Sequence, residues 1–156
     1  MNIRELSIGD WVQNPLGAIG WVNYIRFFHR DRGDNYGGCY SIEMAYSKDG
    51  DSYCTLEENE IKPIPITAEI LEKNGWKYEF DKEEYRVKYM LGEQGKNCWI
   101  MWSCKYHIID IQRQDADLDM YNLCITKVCA PCEYVHQLQH ALRLSELPDL
   151  ADNFKV

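Results

Sequence analysis

IKPIPITAEILEKNGW, residues 61–76, decides how the chain is divided. Pro63 and Pro65 each lack a backbone donor and push the preceding residue toward extended geometry, so a regular central strand cannot run through them. The β-rich region before them therefore ends here. Thr67 then stands as an N-cap, its hydroxyl placed to accept one of the first free N–H groups of a helix, and Glu69 suits the positive end of that helix. Ile66 and Leu71 have the spacing of a hydrophobic staple. Asn74-Gly75 offers a left-handed exit that returns Trp76 onto Leu71. A well-capped connector helix between two β regions follows from these signals.

On the N-terminal side, residues 1–62 read as short strands separated by turns. Residues 8–13 are a short apolar-polar run followed by the turn signal Asn14-Pro15-Leu16-Gly17. Residues 18–29 are too aromatic and β-branched for a helix and long enough to bend, which predicts a strongly curved strand. A polar, glycine-rich loop is expected at 30–38, a third strand at 39–47, a hairpin turn with Asp-Gly at 48–51, and a returning strand at 52–56. The proline-broken piece 60–66 reads as an edge strand. So many short strands in about 60 residues close most economically as a small SH3-like β-barrel.

Beyond the helix, Tyr85, Val87, Tyr89 and Leu91 alternate with Glu84, Arg86, Lys88 and Met90, the pattern of a half-buried strand. Residues 98–103 (CWIMWS) are apolar on both faces. Together with 104–112 and 121–128 they predict an antiparallel meander, and a closing helix follows at about 133–145 with Val135, Leu138 and Leu142 on one face. The expected class is thus α+β: an SH3-like barrel over 1–66, an antiparallel meander packed with two short helices over 67–148, and a loose tail at 149–156.

A net charge of −8 argues against a protein built to grip a phosphate backbone. The acidity is spread, with 6 basic and 10 acidic groups in residues 1–62 and 11 and 15 in residues 63–156. Arg26, His29, Arg30 and Arg32 form the one basic knot, diluted by Asp31 and Asp34, and leave weak nucleic-acid or anion binding as an alternative. Seven cysteines is an odd number, and the opening residues lack a secretory pattern, so a reduced, cytoplasmic protein is expected. No apolar run approaches the ~20 residues that span a bilayer.

Two groups of residues are candidates for function. Trp11, Trp21, Tyr36 and Tyr40, with Arg26 and Arg30, form a candidate ligand or protein-partner surface, although large aromatics also supply core packing in a small unit. Cys129, Cys132, His136 and His140 carry zinc-type donors within twelve residues. Only three residues separate the pairs, where a zinc finger uses about a dozen to converge a hairpin and a helix on the metal. Zinc or thiol chemistry at these four residues is accordingly the second functional expectation. Asp115, Asp117 and Asp119 alternate as calcium ligands do, but the glycine and terminal glutamate of an EF-hand loop are missing, so the stretch reads as a solvated loop. His107 and Asp110, three apart on an expected strand, point to opposite faces. No phosphate loop, nucleophile elbow or zinc-protease helix is present.

The order LSIGDWV (6–12), IKPIPITAEILEKNGW (61–76) and YVHQLQ (134–139) resembles a group of small prophage and mobile-element proteins of Bacteroides-type bacteria without an established activity. The resemblance frames nearly the whole chain and implies an architecture and a genomic setting. It brings no catalytic residue. Of the zinc-type donors only His136 lies inside a shared piece, and the stretches at 30–38 and 92–97 stand as local specialisations. A non-enzymatic binding or accessory protein is the first functional expectation.

Overall fold

The computed structural model describes residues 3–32, 35–46, 52–81, 86–92, 97–114 and 126–156, with side chains described outside 28–37, 79–99 and 112–128. The expected turn at 48–51, most of the turn at 92–97, and Asp115, Asp117 and Asp119 lie outside the described residues. Two compact units divide the chain, Met1–Ile64 and Pro65–Val156. Both are built on antiparallel sheets with few helices, so the class is α+β.

The first unit contains β1 (Trp11–Gln13), β2 (Ile19–Arg32), β3 (Asn35–Ala45) and β4 (Tyr53–Glu57), hydrogen-bonded in the order β1-β2-β3-β4. Asn14 makes the first turn: its Oδ1 accepts the N–H groups of Leu16 and Ala18, each at 2.9 Å, and Gly17 takes φ +88°. β2 carries a register irregularity between Val22 and Tyr24, which leaves Asn23 and Tyr24 both exposed. Val12, Val22, Ile42, Met44 and Leu56 form the core with Ile3, Leu6 and Ile61. Gly20 allows the close approach of β3, because a Cβ there would strike the Ala45 carbonyl.

The loop expected at 30–38 is a β-hairpin arm instead, with Arg30 paired to Gly37 and Arg32 to Asn35. Backbone pairing does not need the side chains that the glycine-rich sequence lacks. After β4 a 3-10 turn (Glu58–Glu60) leads to one bridge, in which Gln13 and Lys62 exchange hydrogen bonds of 3.0 and 2.9 Å. No closed barrel forms among the described residues. The contact stays a single bridge and does not extend into a strand.

The second unit opens with α1 (Ala68–Lys73). Thr67 Oγ1 accepts the Ile70 N–H at 3.3 Å, and both Ile66 and Leu71 of the staple are buried. At its other end Gly75 (φ +82°) donates to Glu72 and Trp76 to Leu71, the paired bonds of a left-handed helix exit. The sheet that follows runs β5 (Lys77–Asp81), β6 (Arg86–Gly92), β7 (Asn97–Ser103), β8 (Ile108–Gln114) and β9 (Thr126–Pro131), paired in that order. Residues 104–107 are a turn and not the start of a strand, with His107 at φ +50° and its ring edge-on to Trp102. The separation of His107 from Asp110 thus comes from the turn.

Helix α2 (Val135–Leu144) packs on β8 and β9. It buries more than the stripe of Val135, Leu138 and Leu142: His136 and Gln139 are 2% and 0% exposed. The tail accounts for Gln139. In place of a loose end, α3 (Pro148–Asp152) folds against α2, Gln139 Nε2 donates to the Ala151 carbonyl at 3.0 Å, and Phe154 is buried. Asn74 fastens the final residues: its Oδ1 accepts the Lys155 N–H at 2.8 Å and its Nδ2 donates to the Lys155 carbonyl at 2.7 Å. Pro148 therefore starts a helix as well as ending the reach of α2, in keeping with the preference of proline for a first helical turn.

Candidate functional site

Register sorts the first sheet into an inner and an outer face, because directly opposed residues of antiparallel strands project to the same side. Val22 opposes Met44 and Ile25 opposes Ile42, which defines the core side. Phe27 and Tyr40, two residues further along each strand, lie on that same side and pack with ring centroids 4.9 Å apart. Tyr40 is therefore a flank of the core and does not join the tryptophans.

The opposite side is aromatic. Trp11, Trp21, Ala45 and Tyr53 form one row across the four strands, since Trp11 pairs with Trp21, Trp21 with Ala45, and Ala45 with Tyr53. The two tryptophans are half-buried and meet edge-to-face at 5.5 Å and 79°. In the next row Tyr24 opposes Glu43, and Glu43 opposes Thr55. In the third, Arg26 opposes Ser41 and Ser41 opposes Glu57. The Arg26 guanidinium lies 4.7 Å from the centre of the Tyr24 ring, and Asn23 Nδ2 donates to Glu43 Oε1 at 2.7 Å. Tyr24, Arg26, Ser41, Glu43 and Thr55 enclose a depression of about 60 Å³. Tyr24 is 46% exposed and Tyr53 61%.

This face offers apolar ring surface beside a cation and a carboxylate, the mixture found where an aromatic side chain serves as a contact anchor. Trp11, Trp21 and Arg26 were legible as candidates. Tyr24 and Tyr53 were not singled out, although aromatic residues three apart from Trp21 across a bulge, and at the head of the strand opposite Ala45, are the signal that register turns into a surface. The side chains of Tyr36 and Arg30 lie outside the described residues.

The four zinc-type donors do not converge. Among the described residues no three His, Cys, Asp or Glu side chains form a group able to hold a metal ion. Cys129 is exposed and shares a face with Asp110, its register partner, opposite the face of Ile109 and Ile111. Cys132 is fully buried three residues later, and burial pushes its thiol up to about 12, away from the thiolate that a metal requires. His136 stacks on Tyr134 at 5.9 Å, and His140 meets His136 edge-on at 6.1 Å. The period of two along β9 sends Cys129 away from the core that holds Cys132 and His136.

One further polar cluster lies beside the first sheet. Tyr46 Oη is 2.9 Å from Cys54 Sγ and accepts a bond from Asn14 Nδ2 at 3.0 Å. The Cys54 bond, with a smaller contribution from burial, holds the phenol above its usual range. The cluster ties the turn at Asn14 to β4. No helix among the described residues is long and apolar enough to cross a membrane. Comparison of the chain with family models, with curated proteins and with solved structures finds no match.

Proposed function

We propose that the chain is a non-enzymatic binding or accessory protein of a prophage or mobile element, whose first unit is an SH3-like barrel that engages a protein partner through the outer face of its sheet. The observation that carries the reading is the continuous row Trp11, Trp21, Ala45, Tyr53 with Tyr24 and Arg26 beside it. Half-exposed aromatic rings backed by a rigid sheet place large contact area at low conformational cost, which is why such residues dominate interface energetics. Support for the barrel comes from the β1 to β4 meander, the 3-10 turn after β4 and the bridge from Gln13 to Lys62. The genomic setting leans on the three motifs at 6–12, 61–76 and 134–139. A cytoplasmic location accords with the odd set of cysteines.

The test is capture from a Bacteroides-type lysate with the intact chain, followed by mapping of the captured protein onto 15N-labelled chain. The reading expects resonances of Trp11, Trp21, Tyr24 and Tyr53 to move. Trp21→Ala with Tyr24→Ala should weaken the complex by about 2 kcal/mol or more, the scale of a hot-spot loss. A complex that perturbs only the second unit, or that the double variant leaves intact, refutes it.

A further inference from the structure

The strand at one end of the first sheet has an open side. β4 pairs with β3 and with no other strand among the described residues. The ladder's phase follows from one bond: the Tyr46 N–H donates to the Ser52 carbonyl at 2.9 Å. Pairs alternate between bonded and non-bonded in an antiparallel ladder, so Met44 with Cys54 and Ile42 with Leu56 carry the next bonds. The N–H and C=O groups of Tyr53, Thr55 and Glu57 then point away from β3. Glu57 verifies the direction, because its N–H is taken by Glu60 Oε2 at 2.8 Å. Tyr53 and Thr55, both exposed, keep their outward groups for another chain.

Sheet edges are ordinarily guarded by lysine, proline or a bulge. β4 reads Tyr-Cys-Thr-Leu-Glu, with no lysine, proline or bulge and with its single charge, Glu57, at its last position. Its far end is acidic: Glu57 and Glu58 line an open recess of about 420 Å³ with Cys39, Tyr40 and Asn59, and Glu60 follows. A second copy of the chain would set one net charge of −8 against another. A cationic segment is the complementary occupant.

We propose that the outer edge of β4 receives an extended, lysine- or arginine-bearing segment of a partner protein as an added antiparallel strand. Its main chain bonds the outward groups of Tyr53 and Thr55, and its basic residue sits at the Glu57–Glu58 end. Alternate side chains of the added strand extend the row that ends at Tyr53. This rests on the reading of the first unit as a binding module and names the class of partner.

The probe is acetyl-Lys-Thr-Val-Thr-Val-Thr-Lys-amide, titrated into 15N-labelled full chain at low salt. The expected result is saturable binding with Kd below about 1 mM, with exchange of the Tyr53 and Thr55 amides slowed at least about tenfold at saturation. The counterpart ended by glutamates should bind at least about tenfold more weakly. Thr55→Pro should abolish binding while circular dichroism stays that of the parent. A peptide N-methylated at alternate residues, which lacks the donors, should also fail to bind, and this arm holds even where Thr55→Pro disturbs folding. Lack of binding up to about 1 mM, or equal affinity for the two peptides, overturns the proposal. Binding that moves Trp11, Trp21 and Tyr24 without protecting Tyr53 and Thr55 also overturns it, and leaves the aromatic-face reading standing.

Discussion

Replacing Asn74 with alanine should release the C-terminal residues from the second unit. The Asn74 side chain makes three hydrogen bonds: Nδ2 to the Ile70 carbonyl at 2.8 Å, Nδ2 to the Lys155 carbonyl at 2.7 Å, and Oδ1 from the Lys155 N–H at 2.8 Å. A hydrogen bond contributes roughly 0.5–1.5 kcal/mol net, and the two to Lys155 are exposed, which puts them at the low end. The sum is about 2 kcal/mol. The helix exit itself survives, since the backbone bonds of Asn74, Gly75 and Trp76 do not involve the side chain. The loss at the tail is that of the two exposed Lys155 bonds, about 1 kcal/mol, which corresponds to roughly fivefold faster amide exchange at Lys155. Native-state exchange followed by NMR, with Asn153→Ala as the control, measures it. Asn153 Nδ2 makes only a single exposed bond to the Asp149 carbonyl at 2.9 Å, so the control should change by less than about 0.5 kcal/mol. Exchange at Lys155 within threefold of the parent, or an equal effect from the control, refutes the clamp.

Three other expectations follow from contacts elsewhere in the chain. A double-mutant cycle of Trp11→Ala and Trp21→Ala, read by urea denaturation, should return a coupling of about 0.5–1.5 kcal/mol for the edge-to-face pair; zero coupling would show that the rings do not meet in solution. Cys132 sets a pH dependence. Its folded thiol is raised to about 12, above the unfolded value near 8.5–9, so folded and unfolded chains bind the same proton below about pH 8.5. Between there and pH 12 the unfolded state alone ionises, and stability falls as pH rises by up to about 1.4 kcal/mol per unit. Cys132→Ala should flatten that part of the curve relative to the parent, whereas parallel curves would contradict the burial. Cys129, exposed on β9, should react with a thiol reagent in the folded chain while Cys132 does not.

Helix α1 was readable to the residue, and the reason is range. The Thr67 cap, the Ile66 and Leu71 staple and the Gly75 exit all join groups within a few positions of one another, so their geometry is written locally. Alternation and turn residues likewise determined that the chain is α+β with antiparallel strands on either side of the prolines. Where the prolines stand, the compact units part at Ile64 and Pro65.

What sequence order alone could not settle is which side of a strand each residue occupies and what lies over it. That Trp11 and Trp21 look outward while Tyr40 flanks the core follows from the pairing of Trp21 with Ala45 and Phe27 with Tyr40, made across 24 and 13 positions and shifted by one irregular residue after Val22. A single step of register reverses a face. Cys129 and Cys132 illustrate the same point: three residues apart in a list of metal donors, they are divided by strand alternation and by a core that keeps Cys132 a thiol. Gln139 is interior where α3 returns over α2 and Ala151 accepts its amide, and the residues after α3 are held by Asn74 from 81 positions away. Local chemistry chose the elements of this protein; long-range pairing chose its faces, and the faces carry the candidate site.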